Sequence, residues 1–86
     1  MYKLEFSSKA LDFYNKLHFH DRNNFLRIDS ALESLKTNPF KGKLLKLSLK
    51  GNYSLRVGVY RILYSVNKQT VHVYILKIGH RRNVYN

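Results

Sequence analysis

From Tyr53 to Ile78 the chain is three runs rich in aromatic and β-branched residues, YSLRV, YRILYSV and TVHVYILKI, parted only by Gly58-Val59 and by Asn67 to Gln69. That composition suits pleated, packed surfaces, and separators this short fit antiparallel hairpins. Tyr60, Ile62, Tyr64 and Val66 share one face of the middle strand, with Arg61, Leu63 and Ser65 on the other. Tyr53, Leu55 and Val57 likewise oppose Ser54 and Arg56. With the apolar sets turned inward, Arg56 and Arg61 emerge together on the outer face. The third run breaks the rule: Val71, Val73 and Ile75 alternate with His72, Tyr74, Leu76 and Ile78, so both faces are partly apolar. Parity therefore leaves the direction of Arg81 open, and Gly79 offers a place to bend.

The first half reads differently. Tyr2 to Phe6 alternates Tyr, Leu and Phe with Lys and Glu, the period of a half-buried strand. Ser7 or Ser8 then offers a capping hydroxyl, and Ala10, Leu11, Tyr14 and Leu17 recur at helical spacing, predicting a helix to about Lys16 that His18, Phe19 and His20 interrupt. Asp21 caps a second helix whose stripe is Phe25, Ile28, Leu32 and Leu35. Asn38-Pro39 ends it, because proline lacks the backbone donor and restricts its predecessor. Phe40 to Asn52 is a basic, leucine-rich connector, in which Leu44, Leu45, Leu47 and Leu49 can cover one end of the core. The expected fold class is α+β: an N-terminal strand, an antiparallel helical hairpin, then a twisted, mainly antiparallel sheet of about four strands with the helices on one face. One domain over residues 1–86 is expected, since the only proline is Pro39 and no linker composition divides the chain.

Charge is distributed as unevenly as structure. Of 16 Lys plus Arg against 5 Asp plus Glu, all five acids precede Ser34 and are balanced there by five bases. The whole excess of +11 therefore lies in the remainder, which carries no acid. Such a segment repels itself, and a polyanion relieves that repulsion. Arginines on a sheet select planar, two-pronged acceptors such as phosphates, which points to RNA. A cytoplasmic protein is expected: cysteine is absent, no apolar run approaches a membrane span, and MYKLEFSSKA lacks a signal-peptide core.

The chemistry is bounded by what is missing. His18, His20, His72 and His80 share no ligand spacing with carboxylates, there is no phosphate-binding loop or nucleophile elbow, and the basic half has no acidic pair for magnesium. No cofactor and no metal is expected. What remains is arginine, tyrosine and histidine. RNA carries its own nucleophile, the 2′-hydroxyl, so cleavage needs only alignment, stabilisation of charge on the phosphate oxygens, and the movement of two protons. Arginines suit the second task; Tyr85 or His80 is available for the third.

The segments LRVGVYRILYSV and VYILKIGHRRNVY resemble the C-terminal half of the RelE/ParE superfamily of toxins, with the RelE branch nearest. The specificity lies in R-V-G-x-Y-R and G-H-R-R-x-V-Y. The resemblance implies a small toxin of a type II toxin–antitoxin system, neutralised by a cognate antitoxin, that enters the ribosome and cuts messenger RNA by 2′-hydroxyl attack, leaving a 2′,3′-cyclic phosphate. It further implies that Arg61 and Arg81 contact the scissile phosphate and that Tyr85 acts as base or stacks on the substrate. Arg56 falls where some members carry the second of two strand lysines, Ser54 where they carry the first. His80 stands where members have lysine or an acid–base histidine. Lys43, Lys46, Lys50 and Arg82 are expected to contact RNA or the ribosome. Two other readings stay open: a ParE-like toxin that inhibits DNA gyrase without nuclease activity, and an RNA-binding module without turnover.

Overall fold

Strand β1 (Lys3–Phe6) turns Leu4 and Phe6 toward the core, and its last residue hands the chain to Ser7, which starts the helices. The computed structural model describes residues 1–46 and 51–84. Helix α1 (Ser8–His20) is capped by the Ser7 hydroxyl, which accepts the Ala10 amide at 3.0 Å and satisfies a donor the first turn leaves orphaned. It runs a turn past the end predicted near Lys16. Asp21 N–H still donates to the Leu17 carbonyl, and the His18 ring packs on Phe25 at 4.6 Å, so tertiary contact extends the helix where propensity does not. Phe19 points away and stays 82% exposed.

Asp21 is the only residue between the helices. Its carboxylate accepts the Asn24 amide at 3.3 Å and so caps α2 (Arg22–Leu35). Ile28, Leu32 and Leu35 form the buried stripe, with Ala10 and Leu17 of α1 beside them.

The sheet lies beneath. Its order is β1, β5 (His72–His80), β4 (Tyr60–Asn67), β3 (Asn52–Val57), β2 (Lys43–Leu44). β1 runs parallel to β5, and the other pairs are antiparallel. Val57, Ile62, Tyr64, Val73, Ile75 and Ile78 meet the helical stripe and complete the core. The two-residue β2 adds a fifth strand inside the stretch the sequence marked as connector; Leu47 and Leu49, expected to cover the core, lie outside the described residues. β2 is anchored because Gly42 N–H donates to the buried Tyr64 hydroxyl at 3.0 Å. A Cβ at Gly42 would come within 2.6 Å of that oxygen, so the close approach needs glycine.

Tyr14 links α1 to α2 by donating to Asp29 Oδ1 at 2.6 Å. Its pKa is pushed up to about 12, first by burial and then by the bond to Asp29 and its charge. The folded chain therefore keeps a proton that the unfolded chain loses at the ordinary phenol value of 10.0, so this stabilisation is complete below pH 10 and disappears as pH rises toward 12. The stability advantage of wild type over Tyr14→Phe, measured by urea unfolding, should shrink across that window; a pH-independent difference would contradict this origin.

A basic face opposite the helices

Cross-strand partners share a face, so the register fixes what the helix-free side of the sheet presents. One row across the strands is Lys43, Ser54, Leu63, Lys77. The next is Arg56, Arg61, Gly79. Arg61 Nη1 donates to Ser54 Oγ at 3.3 Å, tying the rows together, and Arg56 Nε donates to the Gly58 carbonyl at 3.2 Å. Among the described residues no carboxylate lies within ion-pair distance of Lys43, Arg56 or Arg61. The face is not wholly free of acid, because Glu5 pairs with Tyr74 in the register, but it sits on the edge strand β1, 3.4 Å from His72 Nε2.

Lys77 joins this face because of a bulge. Tyr64 pairs with Ile75 and Leu63 with Lys77, which leaves Leu76 without a partner on β4. The extra residue inverts the alternation: before it Val73 and Ile75 face the core, after it Ile78 does. The Leu76 carbonyl is not orphaned, since the Ser7 hydroxyl donates to it at 2.6 Å. One side chain thus caps α1 and holds the bulge.

Beyond the bulge the chain turns back over the basic face. Asn83 and Val84 amides donate to the His80 carbonyl at 2.8 and 3.1 Å, and Lys77 Nζ donates to the Asn83 carbonyl at 3.4 Å. Val84 is 1% exposed and lies 3.9 Å from where a Gly79 Cβ would stand, so it fills the space glycine leaves beside Arg61. The Arg81 amide donates to the Val59 carbonyl at 2.8 Å, fixing the start of this turn to the tip of the β3–β4 hairpin. Arg81 and Arg82 are exposed there.

Arg56 and Arg61 are therefore adjacent, Lys43 follows in the neighbouring row, and Arg81 is held at the same end of the sheet. His80 differs: its partner is Tyr60, whose ring meets Phe13 of α1 at 5.7 Å, so register directs His80 to the helix side. Its ring lies 6.3 Å from Tyr60, and its Nδ1 accepts the Arg82 amide at 3.3 Å, which leaves the proton of the neutral ring on Nε2. Lys46 is exposed beyond β2. Lys50 and Tyr85 lie outside the described residues. Sequence reasoning missed Lys77 as a member of the basic face; the signal was the broken alternation in Ile75-Leu76-Lys77-Ile78, the mark of an inserted residue.

The chain matches, over residues 4–85, the family described as the ParE toxin of the type II toxin–antitoxin system parDE. It is 36% identical over 59 residues to toxin RelG of Mycobacterium tuberculosis, spanning 67% of this chain and 68% of that protein. Among solved structures, a chain of the toxin–antitoxin complex RelBE2 from Mycobacterium tuberculosis superposes with a TM-score of 0.80 at 30% identity, covering 93% of this chain and 98% of that one. The YoeB/ParE toxin from Agrobacterium tumefaciens shares the fold with a TM-score of 0.83 at 21% identity, over 92% and 98% of the two chains. The protein belongs to the RelE/ParE superfamily of type II toxin–antitoxin toxins. Among the described residues no helix is long and apolar enough to cross a membrane.

Ser7→Ala removes a cap and leaves the Leu76 carbonyl without its side-chain donor. Loss of the cap alone costs about 0.5–2 kcal/mol, and the unsatisfied carbonyl adds roughly 1–3 kcal/mol if it stays shielded from water. Ser7→Ala should therefore lower stability by more than Asp21→Ala, the loss of a cap with no second partner in the sheet; equal losses in urea unfolding would dissociate Ser7 from the bulge.

Proposed function

We propose that this toxin is a ribosome-dependent endoribonuclease that cuts messenger RNA without a metal ion and so inhibits translation. The observation that carries the reading is the adjacent pair Arg56 and Arg61 on a face whose next row adds Lys43 and Lys77. Two guanidiniums side by side with no carboxylate between them suit the non-bridging oxygens of a phosphate, where negative charge grows as the 2′-oxygen attacks. Arg61, oriented by Ser54, and Arg81, beside the hairpin tip, are assigned to that phosphate, and Arg56 to the attacking hydroxyl, whose ionisation a nearby cation favours.

Of the two groups expected to move protons, Tyr85 is assigned to the linkage and His80, on the helix side, is not. Tyr85 follows Val84, which packs over Gly79 next to Arg61 in the register, and it acts as the base or stacks on the flanking nucleobase. With the His80 ring turned to the helix side, the leaving 5′-oxygen takes its proton from water. Lys43, Lys46, Lys50 and Arg82 contact RNA or the ribosome as point charges, a contribution that weakens with salt. The active unit is the single domain of residues 1–86, acting in the cytoplasm. Its neutralising partner is an antitoxin whose acidic, amphipathic segment covers the basic face, as fits the toxin–antitoxin complexes among its structural relatives.

The match to the ParE family supports a second reading, a non-nuclease toxin acting on DNA gyrase. Induction separates the two: arrest of translation supports the nuclease, a DNA-damage response without message cleavage supports the gyrase inhibitor. Cleavage on programmed ribosomes tests the assignment directly. Arg61→Ala, Arg81→Ala and Tyr85→Phe should each slow cutting by about one to two decades, the equivalent of roughly 1.5–3 kcal/mol for a charged hydrogen bond. Wild-type rates in Arg81→Ala would remove it from the phosphate.

A further inference from the structure

Two guanidiniums bracket a single residue at the tip of the β3–β4 hairpin. Gly58 has φ +61 and opens the two-residue turn, a conformation glycine adopts without strain. Its carbonyl accepts Arg56 Nε at 3.2 Å from one side. On the other side Arg27, reaching up from α2, lies so close that a Cβ on Gly58 would stand 2.8 Å from its Nη1 and 3.2 Å from its Cζ. Gly58 therefore serves both the turn and the approach of Arg27.

Arg27 belongs to the half of the chain whose acids balance its bases, yet among the described residues no carboxylate comes within 4.0 Å of it. Lys16 and Lys36 of the same hairpin do find Asp12 and Glu33. Its side chain is exposed, so the position is open to a ligand. Gathering like charges around one turn is unfavourable unless an anion answers them. The adjacent turn residue Val59 also anchors the backbone of Arg81. The arrangement thus joins a helix to the end of the sheet where Arg56 and Arg61 sit.

We infer that Arg27, together with Arg56, which it shares with the attacking hydroxyl, forms a second anion subsite across the Gly58–Val59 turn, one that binds a backbone phosphate of the RNA neighbouring the linkage at Arg61. The identity of the polyanion rests on the nuclease reading; the subsite itself rests on the two guanidiniums. Arg27 is here a positioning residue: it grips the strand beside the reacting linkage and takes no part in bond breaking, so it should act on substrate binding and leave the chemical step alone.

The test uses a short 2′-O-methyl oligoribonucleotide, which cannot be cut, with binding followed by fluorescence anisotropy over a series of salt concentrations. Arg27→Gln keeps the length and polarity of the side chain without its charge. It should bind roughly tenfold more weakly, with the slope of log affinity against log salt shallower by about 0.7, one single-strand phosphate contact. Arg27→Lys should keep the slope, and Arg22→Gln, a change at the start of α2, should alter neither quantity. On programmed ribosomes Arg27→Gln should raise KM while leaving kcat within about twofold. Unchanged affinity and slope in Arg27→Gln, or no binding of the oligonucleotide by wild type, overturns the subsite even if messenger is still cut. Weakened binding of polyglutamate alone also overturns it, in favour of an acidic protein segment. Wild type that binds with the predicted slope but cuts nothing sinks the nuclease reading and leaves the subsite standing. Thermal midpoints within about a degree of wild type exclude misfolding as the cause, and should Arg27→Gln fail to fold, the Arg27→Lys slope decides: a slope as shallow as one lost contact overturns the subsite.

Discussion

The Ser7 hydroxyl makes two bonds on which the arrangement of the molecule turns: it accepts the Ala10 amide and donates to the Leu76 carbonyl. The first starts the helical hairpin. The second holds the residue that β5 cannot pair with β4, and so stabilises the change of parity halfway along that strand. Without the change, the alternation that buries Val73 and Ile75 would send Lys77 into the core, where a lone ammonium is not tolerated. With it, β5 buries Ile78 instead and gives Lys77 to the basic face.

That face depends on separation as much as on attraction. The helices take one side of the sheet with the aliphatic core, and four of the five acids lie in or between those helices, away from Arg56 and Arg61. Glu5 alone reaches the opposite side, at the edge strand, where His72 meets it. Arg56 and Arg61 consequently have no carboxylate partner among the described residues. In the proposed function, backbone phosphates answer that charge during the reaction and an acidic segment of the antitoxin answers it during neutralisation.

Much of this was readable in the sequence because strands impose a period of two. The alternation around Tyr60 to Val66 and Tyr53 to Val57 put Arg56 and Arg61 on one face, and the register pairs them directly. The helical stripe Ile28, Leu32, Leu35 was equally plain, as was the cap Asp21, while the first cap was narrowed to Ser7 or Ser8 and the structure selects Ser7. What periodicity could not give was anything made by tertiary contact. The last turn of α1 survives through the packing of His18 on Phe25, β2 exists because Gly42 reaches Tyr64, and Lys77 changes face through an inserted residue. Arg27 was hidden for another reason: counted by sequence it was balanced by nearby acids, and only the fold reveals that none of the described ones reaches it.

The central claim is that the helix-free face of the sheet receives the RNA. Amide NMR titration of the uniformly labelled toxin with an uncleavable 2′-O-methyl oligoribonucleotide tests it most directly. The account predicts shifts concentrated at Ser54, Arg56, Arg61, Lys77 and the turn from Arg81 to Val84, with the outer surface of α1 around Leu11, Asn15 and Phe19 unmoved. Shifts confined to α1, with the Arg56 and Arg61 amides unchanged at saturation, would contradict it.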